Sequence, residues 1–368
     1  MRKIILDKRA VEGAARELST REKRINRGSV IIASALFVLV MSFVVGNYLV
    51  IVSSGSIGVK KLNDSTKALY LAEAGVQRMI YQTNSGGSTS VTGSLGSGSY
   101  TASYTAGGIN TDGNIRSTGT VSGISRTVTV DILDIPPGVR GVVTSNSNLS
   151  VGGLMTVDGR DHWFFGVPMS RRPGMYGVST NASSDFFQSG LAEVGGNGIS
   201  PDNPANPATY QDRDNNPPPS TPAYASTPWD ALGVSQSWYE ANVPASSEPP
   251  SWFIGVKRYD PPGGTWENAN LGISSGILIV HNSTNTAKMK NVTGVFVGLI
   301  IADDISNVSA ALITGSVITT NTAGTNLGSG LSLGYVGYSN QSLRIAGWMF
   351  GGRNGWRKTV KPQSWRET

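Results

Sequence analysis

Arg27-Gly28-Ser29, followed at residues 30–52 by VIIASALFVLVMSFVVGNYLVIV, is the stretch on which the fold turns. These twenty-three residues carry no charge, and at 1.5 Å per residue a helix of that length spans a bilayer core of ~30 Å. Residues 21–27 are net +3, and the positive-inside rule holds such a flank in the cytoplasm, leaving the bulk of the chain outside.

Charge follows the same division. Of the net +6, residues 1–27 hold +5, with nine Lys/Arg against four Asp/Glu. The remainder is nearly neutral, which excludes nucleic acid as an expected partner of a chain cut after the leader. Forty-six glycines and only 15% charged residues favour β-rich, turn-rich structure. Without cysteine there is no disulfide or thiolate site, and two histidines, His162 and His281, leave little material for a zinc site or a triad.

Three fates are open to the apolar run: a permanent anchor, a secretory signal cut near Ser54-Gly55-Ser56, or a leader removed on its cytoplasmic side. A secretory core is usually about 7 to 15 residues, shorter than this one. Beyond the run, apolar residues at Leu62, Leu69, Ala72, Val76 and Met79 keep helical spacing. One helix from Ser29 to about Tyr81 would be ~80 Å long, and its outer half needs a covering partner.

Arg27-Gly28-Ser29 with the apolar run at once behind it resembles the processing site of type IV pilins and type II secretion pseudopilins. Residues 68–76, ALYLAEAGV, resemble the A-x-x-A-E-A-G segment of the minor-pilin family named for its PilX N-terminal region, carried here by Ala72, Glu73, Ala74 and Gly75. The resemblance implies a prepilin peptidase cutting between Gly28 and Ser29, N-methylation of the new terminus, and partnership with other pilin subunits and an inner-membrane assembly platform. It also implies a single-pass inner-membrane intermediate that ends in a pilus or at the cell surface. Major pilins carry a glutamate five residues into the mature chain, where this sequence has Ala33. A mid-membrane carboxylate costs about 2.5 to 3.5 kcal/mol, so alanine eases insertion but leaves no acid for a neighbour's amine. The resemblance then implies a low-copy or tip subunit.

The expected fold is α+β. Residues 1–28 form the leader, 29–82 the membrane and assembly helix, and 83–134 a small antiparallel sheet whose first part, 83–99, reads as a flexible link. Residues 135–352 form an all-β domain opened by Ile135-Pro136-Pro137-Gly138, and 353–368 a basic tail. Within that domain Gly276, Gly298, Gly315 and Gly334, spaced 22, 17 and 19 apart, each precede aliphatic residues. The spacing suits the coils of a parallel β-helix, with a β-sandwich as the alternative. Thirteen of eighteen prolines fall between Pro201 and Pro262, so 201–262 is expected as an ordered excursion outside regular sheet, with a short helix starting at Pro228. The stretches 158–162 and 175–180 also resemble the regions that follow PilX-type N-termini.

Candidate chemistry is thin. Asp158, Asp161 and His162 are the densest polar cluster and Asp303-Asp304 a second. Paired carboxylates serve polysaccharide cleavage, and Asp158 with Asp161 could hold calcium; Asp158-Gly159 is also a common turn, and adjacent aspartates on a strand diverge. In the tail, Trp356 and Trp365 stand among Arg353, Arg357, Lys358, Lys361 and Arg366, a mixture that could bind nucleic acid or an anionic glycan. The tryptophans are instead expected to dock on the last coil while the cations stay in water. The combined expectation is a non-enzymatic, cofactor-free minor subunit of a pilus or pseudopilus, serving assembly, capping or adhesion. The alternative is a membrane-anchored surface β-helix protein that binds or cleaves polysaccharide.

Overall fold

A computed structural model describes residues 8–84, 87–107, 113–169, 174–181, 186–217, 223–328, 332–350 and 359–367. The chain forms two compact units, Met1–Lys67 and Ala68–Thr368. The first is helical throughout its described residues, as part of α1 (Lys8–Asn84). Residues 30–63 are exposed on every face, among them Leu36, Phe37, Phe43, Leu49 and Ile51. Helical hydrogen bonding satisfies the backbone internally, so this surface is what an apolar solvent or neighbouring apolar helices would meet.

In the second unit the last turns of α1 lie on a five-stranded antiparallel sheet. β1 (Ser90–Leu95), β2 (Gly98–Thr105), β3 (Gly113–Val121) and β4 (Ile124–Ile135) follow one another as a meander. Ala72, Val76 and Met79 are fully buried against Ala102, Ile115, Val128, Val130 and Ile132, while Leu62 is exposed. Two expectations are corrected here. Residues 90–95 are not a link: β1 pairs with β2 over six residues, because alternate side chains of SVTGSL turn toward the sheet's covered face. Nor does the described part of the tail dock on the last coil. Thr359–Glu367 is the fifth strand, antiparallel to β4, with Trp365 opposite Val130. Arg366 pairs with Asp131 at 2.6 Å and Arg126 with Glu367 at 3.1 Å, so Arg366, one of the tail's five cations, is a cross-strand partner. Trp356 lies outside the described residues.

Beyond Ile135 the chain builds a stack of parallel strands in three columns. One register row of the first column runs Arg258, Ile279, Ile301, Ile318, Thr144, Ser179, Gln211, each opposite the next. A row of another column is Phe296, Ile313, Val336, Val157, Val194, all buried. A third links Ser306, Asn326, Ser150 and Phe187. The chain enters mid-stack at Gly141–Ser145 and winds to Tyr210–Gln211. It then crosses to the opposite end and winds back through Ile254–Tyr259, Asn270–Val280, Lys288–Ala302 and Asp304–Thr319.

The glycine spacing proves to be register for three of its four members. Gly255, Gly276, Gly298 and Gly315 stand opposite one another, with φ of 121°, 122°, 141° and 142°. A Cβ on Gly276, Gly298 or Gly315 would run into the backbone of the glycine before it. Gly334 is not in this column; Tyr338 stands opposite Gly315. A second column escapes notice in the sequence. Asn268, Asn291 and Asn307 have φ of 50°, 49° and 66°, and their carboxamides form a ladder, Asn291 Nδ2 to Asn268 Oδ1 at 3.1 Å and Asn307 Nδ2 to Asn291 Oδ1 at 2.8 Å. Asparagine tolerates the left-handed turn better than other non-glycine residues and can bond its counterpart in the adjacent coil.

The proline-rich excursion begins a short helix at Pro228, as expected: Pro228–Leu232 is capped by Thr227 Oγ1, which accepts from Asp230 N, and closed by Gly233 at φ 68°. Trp229 packs on Tyr239 and edge-on against His281, and Trp238 on Phe350, which holds the excursion to the body. The expectation that no regular strand falls within 201–262 is corrected by Ile254–Tyr259. Prolines bracket this strand at Pro250 and Pro261 and spare its interior, so every ladder donor is present.

Gly298→Ala should therefore destabilise the large domain by about 1–3 kcal/mol, since it meets both a positive φ and a backbone collision. Denaturant unfolding of the variant would measure it, and an unchanged midpoint would contradict the glycine column's role.

Candidate functional site

The apolar helix comes first. Gly28 and Ser29 lie within α1, and Ala33 is exposed on it. No Asp, Glu, Lys, Arg or His occurs from residue 30 to residue 59. Four of its polar side chains bond back to their own helix: Ser34 Oγ to Ile31 O at 2.9 Å, Ser42 Oγ to Val38 O at 2.7 Å, Asn47 Nδ2 to Phe43 O at 3.0 Å and Ser54 Oγ to Ile51 O at 2.9 Å. A hydroxyl satisfied in this way costs little in lipid. Among the described residues this is one helix long and apolar enough to cross a membrane.

Ala72, Glu73, Ala74 and Gly75 sit where the same helix approaches the sheet most closely. A Cβ on Gly75 would overlap Ser117 Oγ and crowd Tyr100, and one on Gly119 would overlap Ala68 O and Ala72 N. Glycine on both elements lets helix and β3 backbones touch, and Ala72 is fully buried between them. Glu73 and Ala74 are only half-buried. Small residues in this segment are thus required by packing, whatever else they recognise. Ser117 Oγ has no hydrogen-bond partner among the described residues, a small cost of the same close contact.

The two aspartate clusters are brought into buried polar networks. Asp158 faces Arg160, whose Nε lies 3.0 Å from Oδ1 and whose Nη2 lies 2.6 Å from Oδ2. His162 Nε2 lies 3.2 Å from Asp158 Oδ2 and 2.9 Å from the Tyr335 hydroxyl, while its Nδ1 donates to Tyr338 O at 2.9 Å. Burial alone would raise the Asp158 pKa, yet hydrogen bonds from His162 and Arg160 outweigh it and hold the carboxyl below its ordinary value. Burial, with Asp158 nearby, pushes the Tyr335 hydroxyl up.

Asp161 turns elsewhere. Its Oδ1 accepts from Asn340 N at 3.0 Å, at the first residue of the helix Asn340–Met349, where a carboxylate offsets the helix dipole. Asp158 and Asp161 are therefore committed to different partners, and among the described residues no group of three or more His, Asp or Glu side chains converges as a metal site.

Asp303 and Asp304 diverge as strand neighbours do. Asp303 Oδ1 meets His281 Nδ1 at 2.7 Å and accepts from Thr320 Oγ1 at 3.2 Å; Oδ2 accepts from Ala287 N at 2.9 Å and Asn282 N at 3.2 Å. Asp304 pairs instead with Lys288 at 2.8 Å. Asp303 thus ties down the corner from Asn282 to Ala287. Tyr335 and Thr320 carry no sequence signal for these roles, since register alone brings them to the aspartates.

No family model matches the chain, and no curated protein does. Among solved structures it is similar to the competence-associated pilin ComZ from Thermus thermophilus, at 10% identity and a TM-score of 0.21, over 83% of this chain and 97% of that one. The functional reading below rests on the chain's own residues.

The depressed Asp158 pKa fixes a sign. Its contribution to stability is fully present above the unfolded carboxylate value of about 3.9 and is lost as pH falls through the lower native value. Asp158→Asn should flatten that acid limb in denaturant midpoints measured from pH 2 to 7. At neutral pH it should cost about 3 kcal/mol, because Arg160 loses its counter-charge and the hydrogen bonds of the buried site must rearrange.

Proposed function

We infer that the chain is a minor subunit of a type IV pilus or pseudopilus, inserted in the inner membrane by α1, cut between Gly28 and Ser29 by a prepilin peptidase, and assembled by that helix on a membrane platform. The observation that carries this reading is the division of labour along α1. Residues 30–63 are bare and apolar or small for most of their length, whereas the turns around Ala72, Val76 and Met79 are covered by the chain's own sheet. A permanent anchor needs only to span; a bare segment continuous with a sheet-clad one suits a helix that leaves lipid for a bundle of like helices.

In this reading the β-rich domain serves assembly, capping or adhesion. The parallel registers, the glycine column and the asparagine ladder support a parallel β-helix for it over a sandwich. Ala33 supports a low-copy or tip position, since a subunit without an acid there has nothing to offer the amine of the next. No reaction is assigned: the carboxylates of both aspartate clusters are held by fixed donors.

Two measurements test this. Mass spectrometry of the chain from its native membrane should find Ser29 as an N-methylated terminus; a retained Met1 or a terminus near Ser56 would refute the processing. Labelling of filaments with an antibody to the outer domain should mark ends at a few copies each, and uniform decoration of the shaft would refute the tip position.

A further inference from the structure

Residues 8–27 are helical as the first part of α1, ahead of the apolar run. They carry seven Lys/Arg against three Asp/Glu, a net +4. At about 100° per residue the helix sorts its residues between two faces. Val11, Ala14, Leu18 and Ile25, spaced three, four and seven apart, fall within an arc of about 60°. Arg9, Arg16, Lys23 and Arg27, spaced seven, seven and four apart, fall within about 40° on the opposite side, and Arg21 and Glu22 border the apolar stripe. Leu18 on the stripe is 67% exposed, and Arg16 across from it is exposed as well.

We propose that residues 8–27 form a surface helix for the anionic cytoplasmic leaflet, with Val11, Leu18 and Ile25 toward the acyl chains and the cations at headgroup level. Three observations select a bilayer as the occupant. The first is attachment. Only Gly28 and Ser29 separate Arg27 from the uncharged run, so once α1 spans, this helix is tethered at the membrane surface and meets it at high effective concentration. A soluble partner has no such advantage. The second is sign: the flank is net positive, and the positive-inside rule places it on the leaflet whose surface potential is negative. The third is the pairing of two faces on one helix. An apolar stripe opposed by cations matches the layered order of a bilayer surface, whereas an acidic protein would meet the cations alone and leave the stripe in water.

α1 passes through Gly28 as one helix, and lying on the leaflet requires a break there. The sequence provides for it. Arg27-Gly28 is a cation followed by glycine, the pattern of a helix C-terminus, and Ser29 is a good N-cap for the run that starts at Val30. Among residues other than proline, glycine has the lowest helix propensity, so the break costs least at this position. The proposal needs α1 to cross a membrane and does not depend on processing at Gly28 or on assembly into a filament.

The chain has no cysteine, so single cysteines can carry a spin label without competing thiols. The full chain is placed in phosphatidylglycerol/phosphatidylethanolamine nanodiscs with the label at Arg9→Cys, Val11→Cys, Arg16→Cys or Leu18→Cys. Power saturation then reads access to oxygen and to a water-soluble nickel chelate. Labels at positions 11 and 18 should be at least about fivefold less open to the chelate than those at 9 and 16. The difference should collapse in phosphatidylcholine nanodiscs or at high salt. Leu18→Glu should also abolish it, read from the label at position 11. Equal access at all four positions in inserted chains would overturn the proposal, as would protection at position 18 that appears only when a cytosolic protein fraction is added. A Phe43→Cys label open to the chelate would overturn the membrane span itself, and this proposal with it.

Discussion

The pairing of Asp304–Thr319 with Gly141–Ser145 is the contact on which the large domain depends. Val317, Ile318 and Thr319 stand opposite Val143, Thr144 and Ser145. Ser316 Oγ donates to Gly141 O and Val142 O at 3.1 and 2.9 Å, across about 175 residues of sequence. Because the chain enters mid-stack, this seam joins the coils it lays down first to those it lays down last. Thr325 against Leu149 and Tyr335 against Thr156 carry the seam through the other two columns. Without it there would be two shorter stacks, each with an unpaired strand edge. With it, the first column ends at both extremes in two-residue strands, Tyr210–Gln211 and Ala245–Ser246. Short end strands offer little template for pairing with another chain, and Pro201 blunts the antiparallel strand Ile199–Asp202 in the same way.

What the sequence revealed follows from which interactions have a period. The apolar run and the Leu69, Ala72, Val76, Met79 spacing are local, so α1 and its covered face were legible. Gly276, Gly298 and Gly315 were legible because each coil needs a glycine at one register position, and the column forbids a Cβ. Gly334 misled because it precedes aliphatic residues without standing at that position, and Gly255 was hidden among prolines. Strand Thr359–Glu367 was unreadable for a different reason. Its assignment depends on β4, more than two hundred residues earlier, and nothing local distinguishes a returning edge strand from a basic tail. Aspartates could be flagged as a cluster, but their partners Arg160, Tyr335 and Thr320 are set by register and turn geometry.

Both histidines illustrate how this fold handles polar groups. Parallel coils bury their interiors almost continuously, so a side chain at a corner must find a partner inside or become a liability. His281 with Asp303 and His162 with Asp158 each solve this at a place where the chain leaves regular strand. Asp303 also gathers two backbone donors of the corner, and His162 fixes the root of the turn at residues 163–167. Truncating one partner would leave the other charged or unsatisfied in a dry interior, which is why such pairs specify one local geometry even when their net contribution to stability is small.

The same reasoning separates the two ends of α1. Its outer turns could not be stable alone, since Ala72, Val76 and Met79 would face water; β3 and β4 remove that cost, and Gly75 with Gly119 set how closely the two backbones approach. Its inner turns have no such cover, and every hydroxyl and carboxamide named there is turned back onto the helix. The polar groups so satisfied offer little to hold one particular neighbour. Lipid and a bundle of apolar helices then differ mainly in packing, so passage between them needs no charge to be neutralised or hydrogen bond to be broken. A glutamate in place of Ala33 would add a charge to neutralise or pair in either surrounding. With alanine there, residues 30–59 enter either surrounding without a charge to bury.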